Sequence, residues 1–308
     1  MKKILALLLA LSLALGATCA LADDQPLVEI ILPGATHGWT AAVTYFADQM
    51  AAEMGLNYKV INSADPNEQA GQLEQAITDG AACVVVLPHN EELNDAVQMV
   101  LDAGIPVVNF DRKLDAPVTS YVAGDNRSMG VNSAHYIAEK LDGQGKIVVL
   151  TCVSSGSVND DRLGGFLETI ADIAPDIEIL GQYDTGTFAR EDALTVMADV
   201  LMANPQIDAV FSMDDETSIG ALQAIEEAGR TDIRAITGGG GCQEYFGMME
   251  GSDIAISSAL YSPAMIEHCV ELAAQIVSGQ EVDAQVIIDA QIVDKENVAD
   301  YLNPDSPY

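Results

Sequence analysis

Short apolar runs alternate along the chain with longer amphipathic stretches. The runs that predict strands are Leu27–Leu32, Tyr58–Asn62, Cys83–Leu87, Pro106–Phe110, Lys146–Thr151, Ile177–Tyr183, Ala209–Ser212, Ile233–Thr237 and Ile254–Ser258, each bounded by Gly, Pro, Asn or Asp. Between them apolar residues recur at helical spacing. In Trp39–Met54 the stripe is Trp39, Ala42, Val43, Phe46, Met50 and Met54, leaving Asp48, Gln49 and Glu53 outside. Seven more helices are predicted over 67–79, 91–103, 127–141, 162–173, 190–203, 218–228 and 264–278. Gly55, Gly80, Gly104, Gly229 and Gly279 stand where helices end.

Near-continuous apolar strands alternating with helices build parallel sheets covered on both faces. The predicted fold is α/β: two doubly wound parallel-sheet lobes joined by a short multi-strand hinge, with a ligand cleft between them. The first four units end near residue 124, and the units after it make the second lobe. Open parallel sheets bind ligands beyond the carboxyl ends of their strands, so residues just after each strand carry the functional signal.

The first 22 residues read as an export signal. Lys2 and Lys3 precede an apolar run from Ile4 to Leu15, and Ala20-Leu21-Ala22 forms a small-residue cleavage site. The run is shorter than the roughly 20 residues of a membrane span. Cys19 raises a lipid anchor, which Thr18 before it disfavours. Export permits disulfides among Cys83, Cys152, Cys242 and Cys269, although their apolar settings read as four buried thiols.

Of the 308 residues, 49 % are hydrophobic and 19 % charged, and the formal net charge is −34. Such a surface repels phosphate backbones and anionic lipid heads, which argues against nucleic-acid and peripheral membrane binding. No nucleophile elbow, zinc-protease or phosphate-loop motif occurs. Neither a cofactor nor a metal is expected, and the four histidines are scattered.

Two of the six arginines follow predicted strands with Asp beside them: Asp111-Arg112, and Arg162 after Asp160-Asp161. Guanidinium and carboxylate groups each bind adjacent hydroxyls in pairs, and aromatic faces cover the apolar side of a sugar ring. Trp39, Phe188 and Tyr261 are candidate aromatics. That set suits a polyol. Gly238–Gly241 follow another strand, and the run, with Gly239 inside it, reads either as a tight turn or as backbone N–H groups facing a ligand oxygen.

The order of elements resembles the periplasmic sugar-binding proteins of the ribose/galactose type, over nearly all of the chain from Val28 to about Asn297. The pieces that carry the resemblance are Ile105–Arg112, Val122–Asn126, Arg162–Phe166, Ala209–Glu216, Gly220–Leu222 and Ala228-Gly229. The resemblance implies a binding protein, not an enzyme, that takes a small carbohydrate to the permease of an ABC importer and works as a monomer. The alternatives are a ligand-sensing partner of a membrane receptor and, remotely, a secreted sugar-active enzyme. It implies ligand contacts at His37, Trp39, Asp111, Arg112, Arg162, Phe188 and Asp214. Two departures stand out. Trp39-Thr40 replaces a pair of aromatics, and Thr237–Gly241 replaces a Gly-Phe-Asp-Gly pattern, so an acceptor is missing unless Gln243 or Glu244 reaches in.

Overall fold

The computed structural model describes residues 25–35 and 38–308. The signal segment, Cys19 and His37 lie outside the described residues. Twelve strands are described: β1 (Leu27–Pro33), β2 (Asn57–Ser63), β3 (Cys83–Val86), β4 (Val107–Phe110), β5 (Ser120–Gly124), β6 (Gln144–Thr151), β7 (Asp176–Asp184), β8 (Ala209–Phe211), β9 (Ala235–Gly239), β10 (Ala255–Ala259), β11 (Gln285–Ile288) and β12 (Ile292–Asp294). The helices are α1 (Gly38–Glu53), α2 (Pro66–Asp79), α3 (Asn94–Asp102), α4 (Asn126–Lys140), α5 (Ser157–Ile173), α6 (Arg190–Ala203), α7 (Asp215–Glu227), α8 (Gln243–Met249) and α9 (Ile266–Val277).

The strands form two six-stranded sheets, β11-β5-β4-β3-β1-β2 and β12-β10-β9-β8-β6-β7. All pairings are parallel except β10 with β12. The chain passes between the sheets after β5, after β10 and between β11 and β12. Parallel central strands need apolar side chains on both faces. Accordingly Cys83–Val86 and Ala209–Phe211 are buried at every position.

Three strands were not predicted. β5 has only two aliphatic residues, whereas β11 and β12 are short edge strands that do carry β-branched runs, Val286–Ile288 and Ile292-Val293. The short α8 was not predicted either. β9 runs two residues further than Ile233–Thr237, because Gly238 and Gly239 pair with Ser258 and Ala259. In α1 the buried stripe continues through Ala47 and Ala51, and Met54 is exposed rather than inside. The five terminal glycines all take positive φ, as their helix-ending role requires. The four cysteines are buried and free.

α5 begins at Ser157, five residues before the predicted start at Arg162, so Arg162 sits in its second turn. α4 and α5 meet backbone to backbone. A Cβ on Gly130 would fall 2.0 Å from the Arg162 carbonyl oxygen, and one on Gly165 would fall 2.3 Å from that of Arg127. Only glycine permits this approach, and it fixes where the Arg162 side chain starts.

Candidate functional site

A cavity of about 180 Å³ lies between the carboxyl ends of the two sheets. Trp39, Asp111, Arg112, Arg162, Phe188, Asp214, Gly239 and Tyr261 all line it. Eight of the nine residues singled out from sequence are thus brought together, and the ninth is His37.

On the first-sheet side, the β4 turn is pinned from below. Buried Asn109 donates from Nδ2 to the carbonyls of Phe110 (3.2 Å) and Arg112 (3.0 Å), and its Oδ1 accepts from Leu114 N (3.0 Å). Asp111 adopts a left-handed conformation with φ 61°, a region where Asp is tolerated better than most residues. The turn leaves the Asp111 carboxylate to accept a hydrogen bond from the Tyr261 hydroxyl. Arg112 donates to the carbonyl of His89. His89 is held in turn by Gln69, whose Oε1 accepts from His89 N (2.8 Å) while its Nε2 donates to Leu87 O (2.8 Å).

Tyr261, at the second crossing between the sheets, joins the two halves. Its ring lies 4.8 Å beneath the Arg162 guanidinium, a cation–π contact, and its hydroxyl accepts from Asn126 Nδ2 at 3.4 Å. Its carbonyl accepts from Trp39 Nε1 at 2.8 Å. Trp39 is stacked on Phe110 with ring centroids 6.0 Å apart, so one face of the indole is already covered by protein. A Cβ on Gly124 would stand 2.3 Å from the Tyr261 ring, which is why glycine ends β5.

Arg162 is only 6 % exposed, donating from Nε to Asn126 Oδ1 (2.8 Å) and from Nη1 to Met213 O (2.9 Å). Among the described residues no carboxylate forms an ion pair with it, and Nη2 makes no hydrogen bond. A buried cation kept without an anion is costly unless polar groups complete its shell. Nη2 is the donor left for an occupant of the cavity.

Asp214 caps α7, accepting at Oδ1 from Thr217 N at 3.0 Å. Burial, together with the neighbouring Asp215 and Glu216 charges, pushes its carboxyl up to about 7 against the opposing pull of the Thr217 N–H and Arg162. Asp215 is also buried, its carboxyl pushed up by burial to about 6, and it faces the other way. Its Oδ2 accepts from Gly241 N (2.7 Å), Cys242 N (2.9 Å) and Ser258 Oγ (2.9 Å).

That carboxylate decides the two readings of the glycine run. The N–H groups of Gly240 and Gly241 are taken by Ala259 O and Asp215, so they do not face a ligand. Gly238 and Gly239 close β9, and Gly240 and Gly241 make the turn after it, with φ 137° and 102°. A Cβ on Gly238 would meet Asp215 Oδ1 at 2.4 Å. Gln243 and Glu244 do not supply the missing acceptor. Gln243 bonds Tyr301 O and Asn303 N, and Glu244 pairs with Arg190 at 2.7 Å. The space is instead taken by Tyr308, 5 % exposed, whose ring packs near both Gly38 and Gly240.

Sequence reasoning missed His89, Ser155 and Val158 in the lining, and Asn126 and Tyr308 behind it. His89 had a signal: it follows β3 just as Asp111 follows β4. Tyr308 lies far from any strand end and had none. No cluster of metal-ligating side chains occurs among the described residues.

Residues 28–281 match the family model described as a periplasmic binding protein domain. A ribose import binding protein of Salmonella typhimurium is 26 % identical over 300 residues, covering 96 % of this chain and 99 % of its own. A xylitol-binding protein of Mycolicibacterium smegmatis is 29 % identical over 244 residues, 78 % of this chain and 69 % of that one. Among solved structures, an ABC transporter solute-binding protein from Bacillus halodurans with bound myo-inositol superposes with a TM-score of 0.83. It is 22 % identical and covers 93 % of this chain and 100 % of that one. The family and these neighbours are substrate-binding proteins rather than enzymes. The chain belongs to the periplasmic binding protein family.

Proposed function

We propose that this chain is the extracytoplasmic binding subunit of an ABC importer, and that the cavity holds one small polyhydroxylated ligand, a sugar or cyclic polyol. One observation carries the reading. Two arginines and two aspartates from both sheets converge on one cavity with Trp39, Phe188 and Tyr261, the groups that grip vicinal hydroxyls and cover ring faces. In this reading Asp111, Arg112, Arg162 and Asp214 bond ligand hydroxyls, while Trp39 and Phe188 bound the ring. Gly239 contributes wall without a side chain. The lobes 23–124 with 261–287 and 125–260 with 288–308 hinge about the three crossings, and ligand favours the closed form by binding it better. The mature chain begins after Ala22 and is soluble rather than anchored through Cys19.

A thermal-shift screen of monosaccharides, cyclitols and linear polyols tests the ligand class. A ligand bound only by the folded form stabilises it by about 2.7 kcal/mol at 100 times its Kd. A shift with amino acids or peptides and none with any polyol overturns the reading.

A further inference from the structure

The cleft has a second chamber. A cavity of about 330 Å³ adjoins the inner one and shares three wall residues with it, His89, Arg112 and Ser155. Its remaining walls come from both sheets: Asn90 to Glu92 and Lys113 on one side, Ser154, Gly156 and Ser157 on the other. Sites for larger small molecules run to about 300–1,000 Å³, so the inner chamber alone holds a single ring while the two together hold more.

The two chambers differ in chemistry. The inner one is walled by Trp39, Phe188 and Tyr261, whereas no aromatic lines the outer one. Its occupant is therefore hydrogen-bonded rather than stacked. The charges balance, Arg112 and Lys113 against Glu91 and Glu92, all four on the first-sheet side. Among the described residues Glu91, Glu92 and Lys113 form no ion pair, and Lys113 Nζ stands 5.6 Å from the centroid of the Tyr121 ring. Matched charges of both signs favour a neutral hydroxyl-bearing group over a phosphate or a carboxylate, which two carboxylates would repel.

We propose that the protein takes a two-unit ligand, a disaccharide or a sugar-linked cyclitol, with one ring in the inner chamber and the second, neutral unit in the outer one. This rests on the polyol reading of the inner chamber and extends it to the ligand's size.

The test is calorimetry on the whole mature protein. The probes are D-glucose, D-galactose and myo-inositol, set against maltose, cellobiose, lactose, melibiose and galactosyl-myo-inositol. At least one two-unit probe should bind about tenfold or more tighter than either of its parts, the size of one or two added hydrogen bonds. Ser157→Trp fills the outer chamber without touching the inner one. It should remove that gain and leave single-ring affinity within about twofold. Lys113→Ala, on the opposite wall, should lower two-unit affinity alone, and serves if the tryptophan variant misfolds. Single rings binding as tightly as every two-unit probe would overturn the proposal while sparing the polyol reading. So would variants that weaken both classes alike. Binding of no carbohydrate of either size would overturn both.

Discussion

Replacing Arg112 or Arg162 by Ala separates ligand contact from structural support, because the two arginines are built in differently. Arg112 is half-buried and makes one hydrogen bond, to the His89 carbonyl. Arg162 is 6 % exposed, makes two hydrogen bonds of 2.8 and 2.9 Å and covers the Tyr261 ring. A hydrogen bond to a charged group is worth about 1.5–3 kcal/mol, so losing one ligand contact weakens binding by roughly 10- to 150-fold. Both variants should show this loss by calorimetry with whichever polyol the screen identifies. Stability should divide them. Arg162→Ala strips Asn126 Oδ1 and Met213 O of their donors, and the orphaned buried acceptors cost about 1–3 kcal/mol each. At roughly 2–4 °C per kcal/mol its ligand-free Tm falls by several degrees, whereas that of Arg112→Ala scarcely moves. Wild-type affinity in Arg112→Ala refutes the contact, and an unchanged Tm in Arg162→Ala refutes the network.

Three further outcomes are expected. In the proposed reading ligand hydroxyls donate to Asp214 in its ionised form, and with that carboxyl pushed up to about 7 affinity should fall as pH is lowered through 7. On the ligand-free fold the raised carboxyl acts in the opposite sense, adding stability as pH falls from about 7 to about 4 because the folded state binds the proton more tightly, and Asp214→Asn should flatten the affinity profile measured by calorimetry from pH 5 to 8. Tyr308→Ala should lower Tm by an amount equivalent to about 3–5 kcal/mol of lost packing, whereas Tyr308→Phe should hold or raise it, since the buried hydroxyl has no partner among the described residues. Lys59→Met should destabilise by on the order of 3 kcal/mol in urea denaturation, because it strands the buried Glu29 carboxylate that Lys59 pairs at 2.9 Å, and Glu29→Gln in the same chain should restore most of the loss.

The central strands were legible because a strand covered on both faces must be apolar throughout, and Cys83–Val86 or Ile147–Leu150 have few other readings. The segments that cross between the sheets were not. Ser120–Gly124 becomes a strand through pairing with β4 on one side and β11 on the other, two partners far apart in sequence. Ser157–Asp161 reads as a polar turn, yet it forms the first turn of α5, with Asn159 turned inward to accept from Cys152 N at 3.1 Å. Local propensity favours a turn there, and tertiary contact overrides it.

The candidate site was legible to the extent that it sits at strand ends, where position after an apolar run is enough to nominate Asp111 and Arg112, while Asp214 is picked out from Asp215 and Glu216 by the family resemblance alone. What each side chain does there depends on geometry that composition does not carry. Tyr261 is a candidate from sequence only as an aromatic two residues beyond the end of β10. In the fold it touches Asp111, Asn126, Trp39 and Arg162 together. Asp214 and Asp215 are adjacent and chemically identical, yet a β-to-helix turn sends one carboxylate to the cavity and the other to the Gly241 and Cys242 amides. The same carboxylate explains the glycine run. With Asp215 and Tyr308 occupying the space beside Gly238 and Gly240, side chains there have no room, and the wall of the cavity at that point is necessarily bare backbone. In the proposed reading Asp111 and Asp214, which line the cavity from the first and the second sheet, both accept from the ligand, and a polyol bound this way would hold the two sheets together through its own hydroxyls.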